Sequence, residues 1–179
     1  SEENAAADYL EATRLLAPVA DYLVINVSSP NTQGLRDLQR VSALRPVLEA
    51  VLTAAGKKPV LLKIAPDLEV EEILEILHLA SSLELAGLVI SNTTVSREGL
   101  VSEADTGEQG GLSGPPLAKR ALETLILARA TVPASMLLVS VGGLSDAADF
   151  RNRLALGADL VQGYTGFVYA GPLWARRLT

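Results

Sequence analysis

The chain has 179 residues, 49% of them hydrophobic and 20% charged, and a formal net charge of −6 at pH 7. This is globular composition, long enough for one domain with a real core and without a cationic face for nucleic acid. The absence of cysteine excludes disulfides and thiolate metal sites, and the single histidine, His78, excludes a histidine-based metal site or triad within the chain.

The opening residues, "SEENAAADYL", are acidic and do not read as a signal peptide. A helical pattern covers 4–17. Residues 21–28, "DYLVINVS", are an apolar run broken by Asn26 and read as the first strand, with small polar residues crowded at its end. Helix is then predicted over 39–55, 70–83, 116–130 and 146–156. Strands are predicted at 59–65 "PVLLKIA", 86–92 "AGLVISN", 136–142 "MLLVSVG" and 159–164 "DLVQGY". The strands are apolar at nearly every position, which predicts parallel strands covered on both faces. In "LEVEEILEILHLASSL", Ile73, Leu74, Leu77 and Leu83 share a face while Glu71, Glu72 and Glu75 stay in water. His78 falls on the same helix and is expected at the surface, without chemistry. No apolar run reaches the length of a membrane span.

Strand and helix alternate five times, which predicts α/β architecture with right-handed crossovers. The GxGxxG fingerprint of an open dinucleotide-binding sheet does not follow the first strand. Polar and glycine-rich positions instead follow every strand, as in a (β/α)8 barrel with its site at the C-terminal face. Five strands cannot close such a barrel of about 250 residues, and the chain stops inside a helical stretch, "GPLWARRLT". The expectation is a partial (β/α)8 TIM barrel, about strands 4 to 8, forming one incomplete domain over 1–179.

Gly142 and Gly143 in "SVGGLSD" allow a tight turn and close approach to a ligand, and Ser145 and Asp146 read as a helix start. Together with "VQGYTGF" on the next strand, this turn suits a phosphate site. Lys63, in the apolar strand "LLKIAPD", needs a negative partner; it is either in a structural ion pair or placed to stabilise charge on a ligand. Asp67 is expected to cap the following helix rather than to pair with it. Ser91, Asn92 and Thr93 offer uncharged amide and hydroxyl groups, although such clusters also serve as turn residues. The connection from about 95 to 115 is long enough to suggest a lid or binding loop, with Gly110, Gly111 and Gly114 able to lie against a ligand. "EEILEIL" is a solvated helix face, and Phe167 and Trp174 are expected in packing roles.

"NVSSPNT", "LLKIAPD", "ISNTTVSR", "GGLSGPPL", "SVGGLSD" and "VQGYTG" resemble, in order and spacing, the dihydroorotate dehydrogenases of the quinone-using class. The resemblance spans essentially the whole chain. It implies an FMN-binding (β/α)8 barrel that oxidises (S)-dihydroorotate to orotate in pyrimidine (UMP) synthesis. A base removes the C5 proton, hydride leaves C6 for the flavin, and electrons pass to a membrane quinone. The base position of this class falls on Ser29, and a serine base must be activated by its surroundings. Thr32 matches a threonine that helps relay its proton. Ser28 is expected to be structural, because strand alternation points it the other way. Pro30 stiffens the turn. Asn26, Asn31 and Asn92 match amides that hold the substrate, with Thr93 beside them. Lys63 matches the lysine at the flavin N1/C2 edge. Asn26, Ser91, Ser113, Gly114, Gly142, Gly143, Gly163, Tyr164 and Thr165 match positions at the FMN site.

Gly163 departs from the family pattern, where a larger residue such as leucine is expected beside the flavin phosphate. The resemblance also implies earlier strands that complete the site and an N-terminal helical element that meets membrane and quinone. The chain by itself is therefore expected not to turn over substrate. The whole protein is expected to be a monomer, peripherally bound at a bacterial inner membrane on the cytoplasmic side or at the mitochondrial inner membrane. Two alternatives stand beside this reading. One is a soluble-class dihydroorotate or dihydropyrimidine FMN oxidoreductase, although Ser29 counts against the soluble class. The other is a non-catalytic half-barrel whose open strand edges need a partner.

Overall fold

Apolar runs bounded by glycine, proline and small polar residues become five short strands: β1 (Leu23–Asn26), β2 (Val60–Ile64), β3 (Gly87–Ile90), β4 (Leu137–Val141) and β5 (Leu160–Gln162). These come from a computed structural model, which describes residues 2–100, 107 and 109–179. The sheet runs in chain order, β1-β2-β3-β4-β5, and every neighbouring pair is parallel. Consecutive strands that lie side by side, each followed by a helix, are the repeating unit of a (β/α)8 barrel.

The helices are α1 (Glu2–Leu16), α2 (Val41–Ala55), α3 (Val70–Ser82), α4 (Ala118–Thr131), α5 (Ala147–Ala155), α6 (Thr165–Ala170) and α7 (Trp174–Leu178). The last of these falls in the helical stretch read at "GPLWARRLT", while α6 had no counterpart in the sequence pattern. On α3 the deep positions are Ile73, Ile76, Leu77 and Ala80, while Leu74 and Leu83 are only partly covered. His78 is exposed, as expected. The main core lies between sheet and helices, where Val60, Leu62, Ile64, Leu88, Ile90 and Leu138 meet Leu44, Leu48, Ile76, Leu77 and Leu125. Alternate residues point to the other face, where Leu61, Val89 and Val139 form a smaller cluster.

Coverage on both faces holds only for the middle of the sheet. β1 and β5 alternate in exposure because each has a strand neighbour on one side alone. Val24, in register with Leu61, and Leu160, in register with Val139, are therefore exposed. Phe167 also departs from expectation: it is 44% exposed, on a short helix with no buried residue. Trp174 is buried against Leu144 and Leu178 as a packing residue. The expected cap at Asp67 is instead Glu69, whose side chain and that of Glu72 form a reciprocal capping box at the start of α3. Asp146 does cap α5, accepting the backbone N–H groups of Ala148 and Asp149 at 2.9 Å each. Residues 101–106 and 108 of the long loop lie outside the described residues. Its two ends are joined by an antiparallel bridge between Thr94 and Leu112.

Candidate active site

Every strand ends on the same side of the sheet, so the loops that follow the strands gather there. They enclose a cavity of 660 Å³ beside the carboxyl ends of β2 to β5. That volume lies within the range of about 300–1,000 Å³ usual for small-molecule and cofactor sites. β2 contributes Lys63, and the end of β3 contributes Ser91, Asn92 and Thr93. The long loop adds Gly111, Ser113 and Gly114. β4 is followed by Gly142 and Gly143, and β5 by Gly163, Tyr164 and Thr165. Val141, Leu144, Gln162 and Leu117 complete the wall; the sequence offered no polar motif to single out the three apolar ones.

Lys63 is the one cation in this lining. Among the described residues it has no hydrogen-bond or ion-pair partner. Partial burial lowers its pKa below the ordinary lysine value, through loss of hydration around the ammonium. A lysine held this way favours an anionic or electron-rich guest.

Local folding explains the glycines. Gly142 and Gly143 have φ of 115° and 73°, conformations that side chains other than glycine's rarely adopt. A Cβ at Gly143 would also collide with the backbone of Ala118, so the turn after β4 sits directly on the start of α4. Beneath it, the buried Arg153 donates to the Gly142 carbonyl at 2.7 Å and to Ser140 Oγ at 2.9 Å. Ser113 and Thr165 hydroxyls meet at 2.7 Å and fasten the long loop to the end of β5. Gly163 has a steric reason: a Cβ there would overlap the Trp174 indole. The space that a leucine would fill is taken by the tryptophan.

The residues after β1 stand beside the cavity rather than in its wall. Asn26 ends β1 in register with Lys63. Its Oδ1 accepts from Asn92 Nδ2 at 3.2 Å, Ser28 Oγ at 3.1 Å and Ser28 N at 3.3 Å. With its oxygen so occupied, the Asn26 amide nitrogen is the end left to donate. Ser28 is fully buried and also accepts from Asn92 Nδ2 at 2.9 Å. Ser29 is half-buried, and its Oγ accepts the Asn31 N–H at 3.3 Å. Asn31 and Thr32 are exposed. Thr32 borders a separate groove of 430 Å³ against α1, shared with Tyr9 and Asp8. The structure thus joins Asn26, Ser28 and Asn92 in one network, but Ser29, Asn31 and Thr32 do not line the main cavity. Gly111 closes the gap between them, since a Cβ there would overlap both Thr93 and Pro30.

One network went unread in the sequence. Arg36 pairs with Asp67 at 2.7 Å and also reaches the carbonyls of Ser28 and Thr93. Asp67 accepts the Thr94 hydroxyl and the Val95 N–H as well. No local spacing signals such a pairing, because its members lie 31 and 57 residues apart.

Comparison with known proteins gives the same family throughout. A family model described as dihydroorotate dehydrogenase matches residues 1–179. The chain is 58% identical over 180 residues to a protein of Leifsonia xyli subsp. xyli named dihydroorotate dehydrogenase (quinone), covering 99% of this chain and 52% of that one. A protein of the same name from Mycolicibacterium vanbaalenii is 57% identical over 175 residues, covering 97% and 49%. The chain spans about half the length of the curated relatives it matches. Among solved structures, the Eimeria tenella DHODH in complex with ferulenol superposes with a TM-score of 0.92 at 34% identity, over 97% of this chain and 52% of that one.

Proposed function

The chain belongs to the dihydroorotate dehydrogenase family, and from that premise we propose that it forms strands four to eight of an FMN-dependent barrel that oxidises (S)-dihydroorotate to orotate and passes the electrons to a quinone. Flavin dependence is general to this family. The observation that carries the reading is Lys63: an ammonium without a partner among the described residues, in a cavity otherwise walled by amides, hydroxyls, glycines and apolar groups.

The residues present fit FMN. Gly142 and Gly143 form a turn that borders the cavity and admits no side chain, which suits an anionic phosphate beside the Thr165 hydroxyl. Ser91, Ser113, Gly114, Gly163 and Tyr164 would line the remainder of the group, and Lys63 would face the edge where negative charge grows. When bound, FMN supplies the two-electron acceptor for the C6 hydride. Ser29 is assigned the removal of the C5 proton and Thr32 its onward relay. Asn26, Asn31, Asn92 and Thr93 orient the pyrimidine ring. Asn26 has its carbonyl oxygen saturated inside the protein, so it would meet the substrate as a donor.

Quinones of this kind dissolve in membranes, so the whole protein would act at a membrane surface. No helix among the described residues is long and apolar enough to cross one. The test is an acceptor assay with the full-length protein. Dihydroorotate should bleach the flavin absorbance without oxygen, and quinone should restore it while fumarate and NAD do not. Restoration by NAD or fumarate would move the protein to the soluble class, and absence of bleaching would remove the substrate assignment.

A further inference from the structure

Arg36 lies outside the cavity, and none of the roles above uses it. Its guanidinium nevertheless touches three loops of the site at once. Nε donates to the Ser28 carbonyl at 3.1 Å, one terminal nitrogen donates to Asp67 Oδ2 at 2.7 Å, and the other donates to the Thr93 carbonyl at 2.8 Å. These acceptors follow β1, β2 and β3 respectively.

We propose that Arg36 is a positioning residue for proton removal, holding the peptide of Ser29 in a set placement against the Asn92–Thr93 segment. This rests on the assignment of Ser29 as the base. The need for such a staple is visible in the backbone. The β1 ladder ends at Asn26, so the peptides from Val27 onward have no strand partner. Pro30 has no N–H to offer, and among the described residues the Ser29 hydroxyl is tied only to Asn31, two residues away. The Ser28 carbonyl belongs to the peptide that leads into Ser29, so fixing that oxygen fixes where the Ser29 side chain starts. The Thr93 carbonyl lies next in chain to Asn92, whose amide joins Asn26 and Ser28. One rigid plane therefore spans the base and the segment that orients the substrate.

Asp67 aims that plane. Its Oδ2 accepts from both Arg36 and the Val95 N–H, and its Oδ1 accepts the Thr94 hydroxyl, so it is anchored to the loop that Arg36 also grips. Partly exposed ion pairs add little to stability, and this pair retains some solvent access. Its geometric role is more specific. A lysine would keep the charge opposite Asp67 but, as a point donor on a flexible stem, could not hold both carbonyls in a set geometry.

The test uses the full-length, flavin-loaded protein in three forms besides the parent: Arg36→Lys, Ser29→Ala and the double variant. The readouts are the rate of flavin reduction by dihydroorotate without oxygen, orotate affinity by calorimetry, and the melting temperature. Misplacement of a reacting group by about 1 Å costs on the order of 100-fold in rate, so Arg36→Lys should slow reduction by about that factor. It should also weaken orotate binding, through Thr93, while flavin content is kept. In the Ser29→Ala background the same substitution should change the rate by no more than about twofold, since no hydroxyl is left to place. A parent-like rate in Arg36→Lys, or its full loss repeated on top of Ser29→Ala, overturns the proposal while leaving the base assignment standing. A parent-like rate in Ser29→Ala alone overturns the base assignment and this proposal with it. Should Arg36→Lys fail to accumulate, Asp67→Asn carries the same cycle, with the same non-additivity expected and additivity overturning it.

Discussion

At the scale of single residues, the amide network and Lys63 show how the site can discriminate without many charges. Asn92 spends its nitrogen on Asn26 and Ser28 and its oxygen on the Thr93 N–H at 2.8 Å. It is therefore held in one orientation, which was not legible from "ISNTTVSR" alone: the motif offers an amide but not its partners 64 and 66 residues earlier. Ser28 is buried as expected of a structural residue, yet it is structural to the site itself. Lys63 carries a prediction. Its pKa in the fold is lowered by desolvation from 10.5, so the unfolded chain binds more protons between the lowered value and 10.5. Stability without ligand therefore suffers fully below that window and recovers as pH rises through it. Lys63→Met should be more stable than the parent at neutral pH, by a margin that shrinks as pH rises through the window. Urea unfolding of flavin-free protein across pH checks this; a margin independent of pH would show that desolvation of Lys63 is not the cause.

At the scale of elements, periodicity located the five strands and the five helices that cover them, because burial on a sheet or one helix face leaves its mark on consecutive residues. It was silent where exposure depends on a neighbour. β1 and β5 read as two-sided strands, but their inner faces depend on which strand lies alongside, and local pattern does not carry that. Phe167 was misplaced for a related reason, since α6 is short and none of its residues is buried. The exchange between Gly163 and Trp174 gives a prediction here. Gly163→Leu should force the indole out from between β5 and α7 and cost about 1–3 kcal/mol, the usual penalty of overpacking. Pairing it with Trp174→Leu should recover part of that loss. Thermal melts of the three variants followed by circular dichroism would check it, and a silent single Gly163→Leu would mean that the two residues do not compete for space.

At the scale of the molecule, the loops that carry function come from five successive strands and converge because parallel strands joined by helical crossovers present all their carboxyl ends to one side. The six motifs therefore predicted a shared location even though each was weak alone. What they did not contain was the tertiary charge pairing of Arg36 with Asp67, which exists only after β1, β2 and β3 are laid side by side. The account as a whole turns on proton removal by Ser29 from a pyrimidine held over a flavin. Stopped-flow reduction of full-length Ser29→Ala by dihydroorotate measures that step most directly. Loss of a positioned general base should slow flavin reduction by about 100- to 10,000-fold, with bound flavin content unchanged. A reduction rate near that of the parent would place the base elsewhere and contradict the account.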